Sequence, residues 1–147
     1  MRNPEKKLRI LLLQGPVGGF FRQLEAVLRR AGHRTTRICF TPADQPFGRT
    51  QDSILFQGDM TAWHDWLDRQ VSREIFDCIV LFGSNRPVHR AARLVASDRG
   101  VPVLSLEEGY FRPGFVTAEW GGNNDQSPLA GKLPDPNERI PPREASP

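Results

Sequence analysis

The chain has 147 residues, of which 38% are apolar and 25% are charged, and this composition suits one globular domain with a buried core. The net charge is only +3 and the basic residues are scattered, which argues against a nucleic-acid-binding protein. The apolar run at residues 10–13 is far shorter than the roughly 20 residues that span a bilayer, so we expect no transmembrane segment.

Strand-like and helix-like patterns alternate along the chain. An apolar run closed by Gly15 predicts a strand buried on both faces, and the helical spacing that follows predicts a helix ending before Gly32. Trp63 lies on the apolar face of a second helix, for which Asp59 or Thr61 is the predicted cap. The predicted elements are, in chain order, a strand at 8–15, a helix carrying Phe20 to Leu28, strands at 33–40 and 53–58, a helix carrying Trp63 to Val71, a strand at 76–83, a helix carrying Ala91 to Ala96 and a strand at 101–106.

This order predicts a Rossmann-like, doubly wound α/β domain, with a parallel sheet of about five strands and helices on both faces. We assign residues 1–125 to this domain. Residues 126–147 are rich in proline and poor in large apolar side chains, so we expect a mostly disordered tail, or one that is ordered only against a partner. Cys39 and Cys78 lie in apolar runs without the spacing of a metal or disulfide site, and we expect both in the core of a protein from a reducing compartment.

Ligands of open parallel sheets bind outside the carboxyl ends of the strands, and three motifs fall at such positions. The first is "QGPVGGFF" at residues 14–21, whose glycines allow a ligand to approach the backbone N–H groups at a helix start. It matches neither the dinucleotide fingerprint nor the Walker loop. It is therefore either a ligand loop or a tight strand-to-helix turn.

The second motif is "GSNRPVHR" at residues 83–90. Arg86, His89 and Arg90 offer hydrogen-bond donors for a carboxylate, a phosphate or sugar hydroxyls near a helix start. The alternative interpretation is a helix with a solvated basic first turn, for which Ser84 or Asn85 is the predicted cap.

The third motif is "EEGYFRP" at residues 107–113, which follows the last predicted strand. One of its two acids, Glu107 or Glu108, could act as a base or nucleophile, and the alternative is a turn in which Arg112 pairs with an acid. We predict no metal site and no cofactor. The candidate ligand-binding residues of the three motifs and of the following segment 117–124 are Gln14, Gly15, Gly18, Gly19, Arg86, His89, Tyr110, Arg112, Glu119 and Asn123.

These motifs resemble segments of the capsule polysaccharide biosynthesis and export family, whose members are bacterial enzymes related to retaining β-Kdo glycosyltransferases. The resemblance covers roughly residues 8–128 and is carried by three stretches. The acidic pair followed by glycine and aromatic residues is the most distinctive feature. The stretches are "LLLQGPVGGFFRQLEAVLRRAGH", "VLFGSNRPVHRAA" and "LEEGYFRPGFVTAEWGGNN".

The resemblance implies a transferase that takes 3-deoxy-octulosonic acid (Kdo) from CMP-Kdo to a lipid-linked acceptor. Glu108 stands where the family has its proposed catalytic carboxylate, which is aspartate in many relatives, and Glu107 would be its electrostatic partner. Arg112, Arg86 and His89 would bind the acidic sugar or the lipid phosphate. A location in the cytoplasm, or peripheral at the inner face of the cytoplasmic membrane, follows from the same resemblance.

The family also has a second domain, with a His-Pro-type motif expected to hold the nucleotide. Here a proline-rich tail stands in that place, so we expect the donor site to be missing from this chain. A truncated product, a split gene and a domain that needs a partner chain all fit this expectation. The alternative function is a non-catalytic sugar- or acceptor-binding or regulatory domain.

Overall fold

The computed structural model describes residues 6–13, 15, 18–41, 52–109, 114–133, 135 and 137. Within these residues, six strands form one sheet and three α-helices pack against it. The strands are β1 (Arg9–Leu13), β2 (Arg34–Cys39), β3 (Ser53–Leu55), β4 (Cys78–Phe82), β5 (Val103–Glu108) and β6 (Val116–Trp120). The helices are α1 (Phe20–Arg30), α2 (Met60–Arg73) and α3 (Pro87–Arg99).

The strand order in the sheet is β3-β2-β1-β4-β5-β6. The first five strands are parallel to their neighbours, which confirms the predicted doubly wound sheet, and β6 is antiparallel to β5. This sixth strand was not predicted. Its residues alternate between exposed and half-buried, because β6 has one neighbour and lacks the continuous apolar run of the inner strands.

The two faces of the sheet carry separate apolar clusters, so helices do cover both faces. On one face, Trp63 and Leu67 of α2 and Val95 of α3 pack against β1, β4 and β5. On the other face, Phe21 of α1 packs against the side chains of β1, β4 and β5 that point to that face, which are Ile10, Leu12, Cys78, Val80 and Leu106. Cys39 and Cys78 are both buried, as predicted for core residues.

The helix ends match the sequence signals except at the start of α3. Asp59 caps α2, since its carboxylate accepts hydrogen bonds from the N–H groups of Thr61 and Ala62 at 3.0 Å each. The predicted cap of α3 is wrong, because Arg86 occupies that position in extended conformation and Pro87 follows it. Ser84 and Asn85, which were the predicted caps, bond instead to the segment after β6. No helix in the described ranges is long and apolar enough to cross a membrane.

Candidate active site at the carboxyl edge of the sheet

The strands β1, β4 and β5 end at one edge of the sheet, here called the carboxyl edge. β1 and β4 are neighbours, but the chain leaves β1 toward β2 and leaves β4 toward β5, which lies on the opposite side. In open α/β sheets such a reversal leaves a crevice between the two strand ends, where ligands bind. The loop after β1 and the turn after β4 therefore border the expected binding position.

Two glycines in the loop after β1 could not carry a side chain without a steric clash or backbone strain. A Cβ on Gly15 would lie 2.6 Å from Cγ of Phe21, and Gly18 has a φ of 117°, which L-residues rarely adopt. Gly19 precedes α1 and provides no side chain to cap it, so among the described residues the first N–H groups of this helix have no side-chain cap. Gln14, also predicted to bind ligand, lies outside the described residues.

The two acids at the end of β5 lie on opposite faces of the sheet. Side chains alternate along a strand, so Glu108 shares the face of Leu104 and Leu106, which belong to the α1 cluster. Glu107 points to the other face, which is covered by α3. Glu108 is exposed, whereas Glu107 is half-buried and its Oε2 accepts a hydrogen bond of 2.6 Å from the amide of Asn124.

The hairpin between β5 and β6 depends on Gly109. The N–H of Gly109 donates to the carbonyl of Phe115 at 2.8 Å, and a Cβ on Gly109 would lie 2.9 Å from both Cβ and O of Phe115. This close approach explains why glycine follows the acidic pair. Tyr110 and Arg112, two of the predicted ligand-binding residues, lie outside the described residues.

The chain after β6 folds back over the α3 side of the carboxyl edge, and we call residues 121–126 the strap. The Oγ of Ser84 donates to the carbonyl of Asn123 at 3.3 Å, and the amide of Asn85 donates to Asp125 at 2.9 Å. This bond from Asn85, with a second from Gln126, holds the pKa of Asp125 below its usual range. The strap is thus fastened to the turn after β4 as well as to Glu107.

A buried polar layer lies under the strap. Asn123 is 2% exposed, and within the described ranges neither its Oδ1 nor its Nδ2 has a hydrogen-bond partner. Oε2 of Glu119 is likewise buried without a partner among those residues. Glu119 lies opposite Ser105, which is fully buried and donates to the carbonyl of Gly121 at 3.3 Å. Buried polar atoms in folded proteins are nearly always paired, so this layer suits a polar ligand or water.

The turn after β4 and the first turn of α3 carry both exposed and buried basic side chains. Arg86 is exposed next to the crevice and is available to an anion. His89 is fully buried, and its Nδ1–H donates to the carbonyl of Gly83, which fixes the turn. Gly83 itself has a φ of 80°. In this conformation His89 therefore shapes the turn, whereas Arg86 faces solvent.

The structure thus divides the predicted site residues between two sides of the carboxyl edge. The α1 side holds Glu108 and the glycine loop, and the α3 side holds Glu107, Glu119 and Asn123. Sequence reasoning missed Ser105, whose signal was a lone hydroxyl in the apolar run "VPVLSL". Among the described residues, no group of three or more His, Cys, Asp or Glu side chains could hold a metal ion.

Part of the chain matches the model of a known protein family. Residues 77–135 match the family model described as "Capsule polysaccharide biosynthesis protein". The matched segment runs from the start of β4 past the strap, so it contains the acidic pair and the strap but not the glycine loop after β1.

Two curated relatives are similar over most of the chain. The chain is 36% identical over 134 residues to the capsule polysaccharide export protein KpsS of Escherichia coli, a match that covers 86% of this chain and 34% of KpsS. It is 35% identical over 127 residues to the capsule polysaccharide modification protein LipB of Neisseria meningitidis serogroup A, covering 85% of this chain and 30% of LipB. The chain thus spans about a third of the length of the relatives it matches.

Among solved structures, the chain is similar to the MycE methyltransferase from the mycinamycin biosynthetic pathway. The TM-score is 0.49 at 20% sequence identity, and the match covers 72% of this chain and 29% of that protein. A likeness at this level is no basis for inferring function.

Proposed function

Because this chain belongs to the capsule polysaccharide biosynthesis and export family, we propose that it is a glycosyltransferase-type domain of capsule synthesis. Its substrates would be CMP-Kdo and a lipid-linked sugar acceptor, as its resemblance to retaining β-Kdo transferases implies. A lipid-linked acceptor would bring the protein to the cytoplasmic face of the membrane. A partner chain that supplies a nucleotide-binding domain belongs to the same proposal.

The observation that supports the proposal most directly is the position of Glu108. This carboxylate is exposed at the carboxyl end of β5, on the same side of the sheet as the glycine loop. Between the two, the rings of Phe20 and Phe82 pack edge to face with centroids 5.7 Å apart. A catalytic carboxylate must reach its substrate, and Glu108 is the member of the acidic pair that can do so.

In the proposed reaction Glu108 is the nucleophile of a double displacement. Its carboxylate oxygen attacks the anomeric carbon of Kdo, while the bond to CMP breaks and its electron pair leaves with the phosphate oxygen. The acceptor hydroxyl then attacks the same carbon and displaces Glu108, losing its proton to a base or to water. Two inversions give net retention, which matches the retaining class.

Glu107 takes a different role in this proposal from the one its sequence position suggests. Its side chain lies on the opposite face from Glu108 and binds Asn124 of the strap. We therefore assign Glu107 as a positioning residue that holds the strap at the end of β5. The strap in turn carries Asn123, whose buried amide would form a hydrogen bond with a ligand hydroxyl.

The alternative function is a sugar- or acceptor-binding domain without catalysis of its own. The observation that favours it is the buried polar layer under the strap, which needs only to bind a hydroxyl-rich ligand. The two functions differ in their dependence on Glu108. A domain that only binds ligand hydroxyls through Asn123 does not need the exposed carboxylate of Glu108 on the other face of the sheet.

The experiment is a chimaera in which this chain replaces the matching segment of Escherichia coli KpsS, expressed in cells that lack KpsS. The readout is the transfer of labelled Kdo from CMP-Kdo into the membrane fraction. Glu108→Gln should abolish transfer, since an amide is a poor nucleophile, while the melting temperature of the 147-residue chain changes by no more than a few degrees.

Glu74→Gln is the matched control, because Glu74 is an exposed acid distant from the carboxyl edge that pairs with Arg9. This variant should transfer Kdo like the unmodified chimaera. Full transfer by Glu108→Gln would contradict the catalytic assignment. Kdo binding by the 147-residue chain, together with a folded chimaera that transfers nothing, would favour the binding domain.

A further inference from the structure

A second pocket lies on the α3 side of the sheet, away from Glu108, at the amino-terminal half of β5. Its volume is about 560 Å³, which can hold a ligand the size of a sugar phosphate. Helix α3 forms one wall, and Gly121 and Gln126 of the strap contribute to another. The floor is apolar and consists of Val101 and Val103.

One row of α3 gives the pocket its charge. Arg90, Arg93 and Ser97 are spaced by three and four residues, so their side chains follow one another along the same face of the helix. Leu94 lies beside them and is 62% exposed. The pocket therefore combines two guanidinium groups and a hydroxyl with an apolar surface.

Neither Arg90 nor Arg93 lies within ion-pair distance of a carboxylate in the part of the chain that the structure describes. Arg99, on the same helix, differs in that it binds both carboxylate oxygens of Asp68, at 2.8 and 2.7 Å. Asp125 is close enough to Arg90 to interact electrostatically, but its hydrogen bonds come from Asn85 and Gln126. The charge of the arginine pair thus remains largely available to a ligand.

Arg93 is oriented by a hydrogen bond to an uncharged side chain, which does not neutralise its positive charge. Its Nη1 donates to Oε1 of Gln126 at 3.1 Å, which uses one of the five guanidinium N–H groups. The strap can lie this close because residue 122 is glycine, where a Cβ would come 3.1 Å from Nη2 of Arg93 and 2.6 Å from Cβ of Gln126. The remaining donors keep the planar geometry that binds oxyanions.

We propose that this pocket binds a phosphate monoester, with the phosphate between Arg90 and Arg93 and the organic part on the floor formed by Val101 and Val103. Two guanidinium groups match the double negative charge of a phosphate monoester better than the single charge of a carboxylate. The ester is either a small soluble molecule or the headgroup of a lipid. This site is separate from the proposed transferase site and does not depend on it.

The test is a calorimetric titration of the full 147-residue chain with phenyl phosphate, inorganic phosphate and phenol at low ionic strength. Phenyl phosphate should bind most tightly, because it alone engages both the arginines and the floor. Arg90→Ala and Arg93→Ala should each weaken its binding about tenfold. Leu94→Ser should reduce the preference for phenyl phosphate over inorganic phosphate.

Arg99→Ala is the matched control, since it removes the same charge from the same helix outside the pocket. Equal loss of affinity in Arg99→Ala and Arg93→Ala would overturn the proposal, because binding would then follow net charge alone. Arg90 is exposed, so its variant remains informative if Arg93→Ala unfolds.

A second arm uses phosphatidylcholine vesicles with and without phosphatidic acid. Binding that requires phosphatidic acid and Arg90, together with weak binding of phenyl phosphate, identifies a lipid headgroup as the source. Binding of phenyl phosphate alone identifies a soluble ester. If neither probe binds, the proposal is wrong.

Discussion

The amide of Asn124 donates a hydrogen bond of 2.6 Å to the carboxylate of Glu107, and this contact ties the strap to the end of β5. It connects the chain that follows the antiparallel strand β6 with the carboxyl edge of the sheet. The acidic pair therefore combines a half-buried acid, Glu107, with an exposed acid, Glu108, on opposite faces of one strand.

The contact between Glu107 and Asn124 can be measured by a double-mutant cycle. Glu107→Gln, Asn124→Ala and the double variant should give a coupling free energy of about 1 kcal/mol, because the bond involves a charged acceptor that is half-buried. Urea unfolding of the four proteins is the measurement. Additive losses would mean that the two side chains do not interact in solution.

Asn123→Leu should leave the free energy of unfolding unchanged or raise it. The buried amide has no partner for either polar atom among the described residues, and an apolar side chain of similar size removes that desolvation penalty. The same change should reduce Kdo transfer by the KpsS chimaera. Calorimetric unfolding and transfer should be measured in parallel, and a clear loss of stability with full transfer contradicts a ligand-reading role.

Gly109→Ala should destabilise the fold by about 2 kcal/mol, because the new Cβ overlaps both side chain and backbone of Phe115. Gly19→Ala is the comparison, since among the described residues the nearest atom to its Cβ is Nη2 of Arg22 at 3.8 Å, which is ordinary contact. Its cost, confined to the start of α1, should be about 0.5 kcal/mol. Equal unfolding midpoints for the two variants would show that the hairpin tolerates a side chain at residue 109.

Asp77 should make stability depend on pH in the acid range. Hydrogen bonds from Lys6 and from the backbone N–H of Arg9 hold the pKa of Asp77 below its usual value. Its contribution is therefore complete above pH of about 4, the unfolded value, and is lost as the pH falls through the lower folded pKa. Asp77→Asn should lower the melting temperature at pH 7, and its difference from the unmodified chain should shrink toward pH 3. A difference that stays constant would contradict this linkage.

Cys78 should be unreactive toward alkylating reagents in the folded chain. Burial raises the pKa of its thiol to about 11, so at pH 8 only about a thousandth of the group is thiolate. A Cys39→Ser variant isolates the Cys78 signal, and iodoacetamide labelling followed by mass spectrometry measures the rate. Rapid labelling should appear only in denaturant, and rapid labelling without it would show that β4 opens readily.

The sequence was sufficient to predict the parallel part of the fold. Five strands and three helices were recognisable because the strands are apolar or β-branched runs and each helix has an apolar face, as the burial of Leu12, Ile79 and Trp63 shows. The edge strand β6 was missed because exposure on one side leaves it no such run. Strand propensity and hydrophobic periodicity in a sequence reflect the burial of side chains, and the side chains of β6 are at most half-buried.

The candidate site was predictable in its position but not in its contacts. The rule that ligands bind at strand ends directed attention to the carboxyl edge, where β1, β4 and β5 end. Which face each acid occupies depends on strand register, and the pairing of Glu107 with Asn124 depends on how the chain returns after β6. His89 shows the same limit, since nothing in "RPVHR" indicates that its ring is buried against the carbonyl of Gly83.

The central pair of strands has a consequence for the order of folding. β1 and β4 lie side by side, yet the backbone N–H of Arg9 meets Asp77 across 68 residues of chain. Contacts so distant in sequence form slowly, because ordering the intervening chain costs entropy before the contact contributes any stabilising free energy. The β5–β6 hairpin, in which Gly109 meets Phe115, closes over a short segment and should form early. The crevice between β1 and β4 is therefore among the last parts of the molecule to assemble, and a partly folded chain exposes the hairpin before the crevice has formed.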